Sequence, residues 1–196
     1  MDHISDIVTI KEITTALFHT NDRAEVNMLQ RAIYSEIETY AIDIVIFHVN
    51  TSSRHDEIIA LQLGQLVIDH TRFVPPEDGN FKSSIDFDGP GAFTTDNIPE
   101  LPFKYKTPIA YLRAGQKIKC EIIIKLGTGR QHVKWRPLST FTFKEHEMGY
   151  SIRVKGIGML PGVDIIQKGL DKIDTASSRP GSNIFSRPVV PNNFVQ

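Results

Sequence analysis

The sequence is poor in cysteine and has no excess of either charge. Cys120 is the single cysteine among 196 residues, which excludes an intramolecular disulfide and any metal site built from several cysteines. Lys and Arg total 22 against 23 Asp and Glu, so a net charge of −1 offers no broad basic surface for DNA. No apolar run is long enough to cross a bilayer, and the first residues do not resemble a signal peptide. We therefore expect an intracellular protein with no membrane contact.

The bulk composition is that of a soluble globular protein. Hydrophobic residues make up 40% of the chain and charged residues 23%. The length suits one large domain or two small ones, and either arrangement can bury a real core.

The stretch from 21 to 49 is the most strongly patterned part of the chain. Asp22 stands three residues before Glu25, which predicts a capping box at a helix N-terminus. An apolar helix face follows, made of Val26, Leu29, Ile33 and Ile37. The β-branched and aromatic run 40–49 then predicts a well-buried strand. So broad an apolar face needs a large cover, and a second chain could supply it.

Weaker signals place the other elements of the first two thirds. One or two strands are predicted within 6–19. Ser53 is a candidate N-cap for a helix over 55–63, which Gly64 would end in a left-handed conformation, before a strand at 66–68. The turn-forming residues of 71–107 predict irregular structure with at most a short strand near Ile85.

A regular apolar pattern begins again at Gln116. Alternation there predicts a strand with one buried face, formed by Ile118, Cys120, Ile122, Ile124 and Leu126. Two more strands are predicted at 139–144 and 150–155. A final helix opens at 160–162 and repeats Val163, Ile166, Leu170 and Ile173 on one face. The last residues, 177–196, have no periodicity and predict a flexible tail that becomes ordered only on a partner.

Two groups of reactive residues do not form catalytic sites. His55, Asp56 and Glu57 are consecutive, and consecutive helical residues point about 100° apart, so they cannot converge on one metal ion. Cys120 lies at an inward strand position, which is unfavourable for a nucleophile. We expect no cofactor and no metal.

The segment after the long strand is rich in glycine and basic residues. Gly127-Thr128-Gly129-Arg130 lacks the Lys-Ser/Thr pair and the following helix that a phosphate-binding loop requires. Basic residues surround Trp135 in this segment, namely Lys125, Arg130, His132, Lys134 and Arg136. A single-stranded nucleic-acid-binding module that stacks bases on Trp135 is therefore an alternative function. An enzyme of unknown type is a third hypothesis.

Three segments carry a family resemblance. They are 27–43, beginning Asn-Met-Leu-Gln-Arg, then Asp56–Gly64, and Leu112–Ser139 with its Gly-x-Gly, His and Lys-Trp-x-Pro in register. Together they resemble the α-like subunits of multisubunit DNA-directed RNA polymerases, which include the bacterial α N-terminal domain, the archaeal D subunit and the third subunit of RNA polymerase II. The segment 56–64 favours the archaeal and eukaryotic side of that family.

The resemblance implies an α+β fold in two parts. A dimerisation domain would comprise 1–40 and 147–176, interrupted by an inserted mainly-β domain over 41–146. The function implied is that of a non-catalytic assembly subunit, which pairs with a smaller α-like subunit and docks the second-largest and largest polymerase subunits. Other small polymerase subunits are further partners, and little direct contact with nucleic acid is expected.

The resemblance also implies roles for particular residues. The dimer interface would comprise Val26, Leu29, Ile33, Ile37, Val163, Ile166, Leu170 and Ile173. Docking of a large subunit would involve Arg31, Gly127, Gly129, His132, Lys134 and Trp135. Arg31 is expected near the rim of the apolar helix face, within reach of a third chain.

The chain departs from the family pattern at several places. Gln30 replaces the first of two arginines that are common in the family, and Leu61-Gln62 stands where His-Arg is frequent. The cysteine-rich metal loop of several relatives is absent. These features suggest a reduced version of the subunit, of the kind that a large DNA virus carries. The protein would act in the nucleus or cytoplasm, or in a virion or viral factory.

Overall fold

The structure, a computed structural model, describes residues 4–76 and 81–177. Its helices are α1 (Arg23–Ser35), α2 (Asp56–Gly64) and α3 (Gly162–Ser177). Its strands are β1 (Ile4–Ile10), β2 (Ile13–Phe18), β3 (Glu38–Asn50), β4 (Phe81–Asp88), β5 (Gly91–Thr94), β6 (Pro108–Leu112), β7 (Lys117–Thr128), β8 (Leu138–His146) and β9 (Gly149–Gly156). The chain is thus a mixed α+β protein. Apart from Ser177 at the end of α3, the tail predicted for 177–196 lies outside the described residues.

The first sheet carries the helix pair on one face. It is antiparallel with the order β1-β2-β9-β8, and α1 and α3 pack against it. The hydrophobic cluster between them combines residues from both ends of the chain, including Phe18, Leu29, Ile33, Ile152 and Ile165.

The second sheet has the order β3-β7-β4 and is covered by α2 and by the β5–β6 hairpin. Its hydrophobic cluster is drawn from residues 42–124, including Ile42, Ile59, Phe93, Ile118 and Ile122. Each cluster is therefore built from a different part of the sequence.

Close packing of α1 on α3 depends on Gly169. A Cβ at this position would lie 2.5 Å from Cγ1 of Ile33 and 3.0 Å from Cδ1 of Leu29. Both of these side chains are fully buried. The cover that the sequence suggested a second chain could supply is thus provided by the chain's own sheet and its own α3.

Several local predictions are wrong. Asp22 does cap α1, accepting a hydrogen bond from the Ala24 amide at 2.7 Å, but Glu25 accepts from the Thr20 hydroxyl and so completes no capping box with Asp22. His55, not Ser53, is the N-cap residue of α2, and Gly64 has no positive φ. Instead, a Cβ at residue 64 would approach the Ile42 carbonyl oxygen to 3.5 Å.

The predicted strands also differ from the observed ones: some strands were not predicted, and one predicted strand does not form. The short strand expected near Ile85 is the eight-residue β4, and the region 71–107 also contains β5, which was not expected. The strand predicted at 66–68 is only an isolated bridge from Ile68 to Phe103. Beyond Ile42, the strand β3 is buried on one side only, because helix α2 and the β5–β6 hairpin cover a single face of its sheet. Ile44 and Ile46 consequently lie exposed on the other face.

Candidate functional site

The segment between β7 and β8 is folded against the C-terminal end of α1. The Arg130 amide donates a hydrogen bond to the Ser35 carbonyl oxygen at 3.2 Å, and the Arg130 guanidinium pairs with Glu36. A Cβ at Gly129 would lie 1.9 Å from the Tyr34 carbonyl oxygen, a distance that backbone atoms cannot accommodate. We call residues 129–137 the β7–β8 loop. Glycine at position 129 is what allows this loop to lie so close to the helix.

Trp135 anchors the β7–β8 loop from inside the molecule. Its side chain is only 7% exposed, and its indole N–H donates to the Lys125 carbonyl oxygen at 3.1 Å. The Thr39 hydroxyl donates to the Trp135 carbonyl oxygen at 2.6 Å. A Cβ at Gly127 would lie 2.5 Å from the indole ring, so glycine is needed there as well. A base cannot stack on a side chain in this position, which removes the basis of the nucleic-acid alternative.

Asp43 ties the same loop to β3. Lys134 Nζ donates to Asp43 Oδ1 at 2.6 Å, and Lys125 Nζ lies 3.0 Å from Oδ2. The hydrogen bond from Lys134 holds the pKa of Asp43 below its ordinary value despite partial burial. Lys134 also lies 4.4 Å from the centre of the Trp135 ring. Lys134 is therefore engaged within the protein.

The exposed part of the loop faces away from these anchors. Arg130, Gln131, His132 and Val133 are exposed, and Val133 is 59% exposed although it is apolar. Of the residues predicted to dock a large subunit, Arg31 and His132 are thus exposed, whereas Gly127 and Trp135 are buried.

Arg31 does not lie at the rim of the apolar face of α1. It is two residues from both Leu29 and Ile33, and two residues correspond to about 200° around a helix. Its side chain therefore points away from the core, and it is exposed. Ser35 follows Arg31 by one helical turn, which brings Arg31 to the end of α1 that holds the β7–β8 loop.

The structure places most of the predicted dimer-interface residues inside the protein. Val26, Leu29, Ile33, Ile37 and Ile166 are at most 2% exposed. Leu170 and Ile173 pack against the same cluster, and only Val163, at 39%, is substantially exposed. The interface role of these residues stays a prediction.

The other residues considered as reactive groups, Asp56 and Cys120, are held within the fold. Asp56 accepts a hydrogen bond from the Asn50 amide at 2.6 Å, and burial raises the pKa of Cys120 to about 12. Within residues 4–76 and 81–177, no group of three or more His, Cys, Asp or Glu is placed to hold a metal ion. No helix in the same ranges is long and apolar enough to span a membrane.

Sequence reasoning missed two contributors to this region. Asp43 is the one charged residue in the run 40–49, and an isolated carboxylate in an apolar strand is a signal for a buried ion pair. Val133 gave no signal, because its exposure depends on the fold of the loop.

The fold and the β7–β8 loop define the class of protein. It is an α+β protein whose candidate site is an exposed surface at the C-terminal end of α1. Comparison with known sequences gives this class a family. The chain is 34% identical over 122 residues to DNA-directed RNA polymerase subunit Rpo3 of Thermococcus kodakarensis, a match that covers 57% of the chain and 47% of the relative. It is 28% identical to Rpo3 of Methanocaldococcus jannaschii, over 74% of the chain and 76% of the relative.

A plant protein gives a similar match. Subunit 3 of DNA-directed RNA polymerases II, IV and V of Arabidopsis thaliana is 28% identical over 62% of the chain and 50% of its own length. The chain is therefore related to the α-like subunits of DNA-directed RNA polymerase, as its sequence motifs indicated. It spans about half the length of most of the relatives it matches. No family model matches it.

Proposed function

We propose that the chain is a non-catalytic assembly subunit of a DNA-directed RNA polymerase. It pairs with a smaller α-like subunit, and the pair docks the second-largest and largest polymerase subunits, with other small subunits as further partners. It acts inside the cell, where the polymerase assembles.

The observation that carries this proposal is the meeting of two sequence segments in space. The segments 27–43 and 112–139 both carry the resemblance to the polymerase family. In the structure, Gly129 and Arg130 of the second segment lie on the C-terminal turn of α1 in the first. The two segments thus meet at the C-terminal end of α1, and this meeting supports a shared role in assembly.

The proposed domain division follows the two hydrophobic clusters. The cluster on the β1-β2-β9-β8 sheet would belong to a dimerisation domain of residues 1–40 and 147–176. The cluster on the β3-β7-β4 sheet would belong to an inserted mainly-β domain of residues 41–146. Leu138 and Phe141 in β8 contribute to the first cluster, which supports moving the second boundary to about residue 137.

The smaller subunit is proposed to pack on the outward side of the α1–α3 pair. The exposed part of Val163 would contact it directly. The other predicted interface residues would contribute by fixing how α1 and α3 lie against each other. Apolar groups already buried in one chain add little further burial on association.

The second-largest subunit is proposed to dock on Arg31 and the exposed part of the β7–β8 loop. The loop contributes Arg130, His132 and Val133. Arginine forms two-pronged hydrogen bonds to carboxylates, and an exposed valine supplies apolar contact area. Gly127, Gly129, Lys134 and Trp135 would act by holding the loop in place.

Staged assembly tests this proposal. The chain is co-expressed with candidate α-like partners from its source, and the purified pair is then offered the second-largest subunit. We expect a one-to-one heterodimer by analytical ultracentrifugation, followed by capture of the large subunit. Purification of the tagged chain from its native source without any polymerase subunit would contradict the proposal.

A further inference from the structure

The face of the β1-β2-β9-β8 sheet opposite the helix pair carries an ordered pattern of side chains. Val8 on β1 pairs with Thr15 on β2, and Thr15 pairs with Arg153 on β9. In the next row, Ile10 pairs with Ile13, and Ile13 with Lys155. Directly paired residues of antiparallel strands point to the same face. This face therefore has an apolar side on β1 and a basic side on β9.

Both sides are available to another molecule. Val8 is 55% exposed and Ile10 is 69% exposed, and Arg153 and Lys155 are exposed as well. Neither of these cations forms an ion pair with a described residue. Glu12, in the turn between β1 and β2, is an acidic residue next to this face, and its carboxylate accepts a hydrogen bond from the Tyr105 hydroxyl instead.

From this pattern we infer that the sheet face binds an amphipathic helix of a partner protein, with an acidic edge over β9 and its apolar side over β1 and β2. An α-helix is about 10–12 Å wide, and two strand spacings, from β1 to β9, are about 10 Å. Arg153 and Lys155 are two residues apart on one strand, about 6.8 Å, which matches acidic residues one helical turn apart at about 6 Å. This surface lies on the other face of the sheet from α1.

A helix is favoured over nucleic acid by the composition of the face. Phosphate groups would be attracted by Arg153 and Lys155, but against Val8 and Ile10 they would lose hydrating water and gain no hydrogen bond in return. In the two rows described above, the positions other than Arg153 and Lys155 are occupied by threonine, isoleucine and valine, so these rows present no aromatic side chain for base stacking. A helix over an open sheet face is also a common way of completing a packed layer.

The experiment uses the full chain and two synthetic helical peptides that share one apolar face. The first peptide carries glutamate along one edge of that face, and the second carries lysine at the same positions. We expect the glutamate peptide to bind at least tenfold more tightly by fluorescence anisotropy. Equal affinity of the two peptides, or no binding of either, would overturn the inference.

Variants locate the binding. Arg153→Gln with Lys155→Gln should remove the preference for the glutamate peptide, whereas the matched pair Lys82→Gln with Arg113→Gln, exposed on other strands and loops, should leave it unchanged. Arg153→Glu with Lys155→Glu should reverse the preference, a gain that misfolding cannot produce. The double variant Val8→Ser with Ile10→Ser should weaken the binding of both peptides.

Competition distinguishes the two kinds of partner. Single-stranded DNA that displaced the glutamate peptide at equal or lower concentration would overturn the inference in favour of nucleic acid. A preference retained by the Arg153/Lys155 glutamine variant would also overturn it. Failure of polymerase assembly would bear on the proposed function alone, because these peptides do not depend on any polymerase subunit.

Discussion

At the scale of single residues, substitution of Arg31 distinguishes docking of the second-largest subunit from pairing with the smaller subunit. Arg31→Ala should leave the heterodimer with the smaller subunit intact and reduce capture of the second-largest subunit by tenfold or more, a loss of about 1.4 kcal/mol. The reason is that its side chain is exposed on α1, one helical turn before Ser35, whose carbonyl oxygen accepts a hydrogen bond from the β7–β8 loop. Quantitative pull-down by the purified pair measures the effect.

Arg54→Ala is the matched control, since Arg54 is an exposed arginine outside the segments that carry the family resemblance. Unchanged capture by Arg31→Ala would make Arg31 an ordinary surface residue, with pairing worth at most about 0.5 kcal/mol. Loss of the heterodimer itself would place Arg31 in the dimer interface instead.

Asp43 gives a prediction about pH. Asp43→Asn should lower the free energy of unfolding by about 1–3 kcal/mol at neutral pH, because Lys134 and Lys125 lose the carboxylate that pairs them. The pKa of Asp43 is lowered in the folded state, so its contribution is complete above the unfolded value of about 3.9 and is lost as the pH falls through the lower folded value.

Denaturant unfolding of both proteins at a series of pH values measures this difference. The gap between wild type and Asp43→Asn should therefore be constant above about pH 5 and narrow in acid. Asp96→Asn, at an exposed ion pair, should change stability little. A gap of the same size at every pH would show that lost packing, and not charge, explains it.

At the scale of elements, the contact between α1 and α3 depends on Gly169. Alanine in a helix is normally about 1 kcal/mol more favourable than glycine. Here the added methyl group would lie 2.5 Å from Ile33 Cγ1 inside a packed core, and such overpacking costs about 1–3 kcal/mol. We expect Gly169→Ala to lower the Tm, as measured by circular dichroism.

Gln167→Ala is the control for this change, since Gln167 is exposed on the same helix. A Tm at or above that of the wild type would mean that α3 can shift away from α1 at little cost. In that case the helix pair would be adjustable, and the partner could determine its final geometry.

Elements with strong periodicity were predictable from sequence, and those defined by long-range pairing were not. The 3–4 spacing located α1 and α3, and strict alternation located β7. The strand β4 was expected only as a short strand near Ile85, and β5 was not expected, because their pairing partners lie far along the chain or across turn-forming segments. At the candidate site, the glycines drew attention as a motif. Their roles against Tyr34 and Trp135 required the fold.

At the scale of the whole molecule, nucleic-acid binding should be weak and unselective. A net charge of −1 and a buried Trp135 leave few phosphate contacts and no stacking platform in the β7–β8 loop. Dissociation constants for single-stranded DNA and RNA should exceed ~1 μM at physiological salt. Anisotropy titrations at two salt concentrations test this, and sub-micromolar binding would revive the alternative function.

The pairing of Glu38 with Thr128 has a consequence for how such proteins can change over time. Partners in an antiparallel ladder have Cα atoms only about 5 Å apart, so the chain leaves the end of α1 and returns to it at nearly the same point. Everything between these two residues is a closed excursion with adjacent ends. A lineage can therefore lengthen or shorten the parts of that excursion that touch neither the β7–β8 loop nor Glu12, while the helix pair keeps its position.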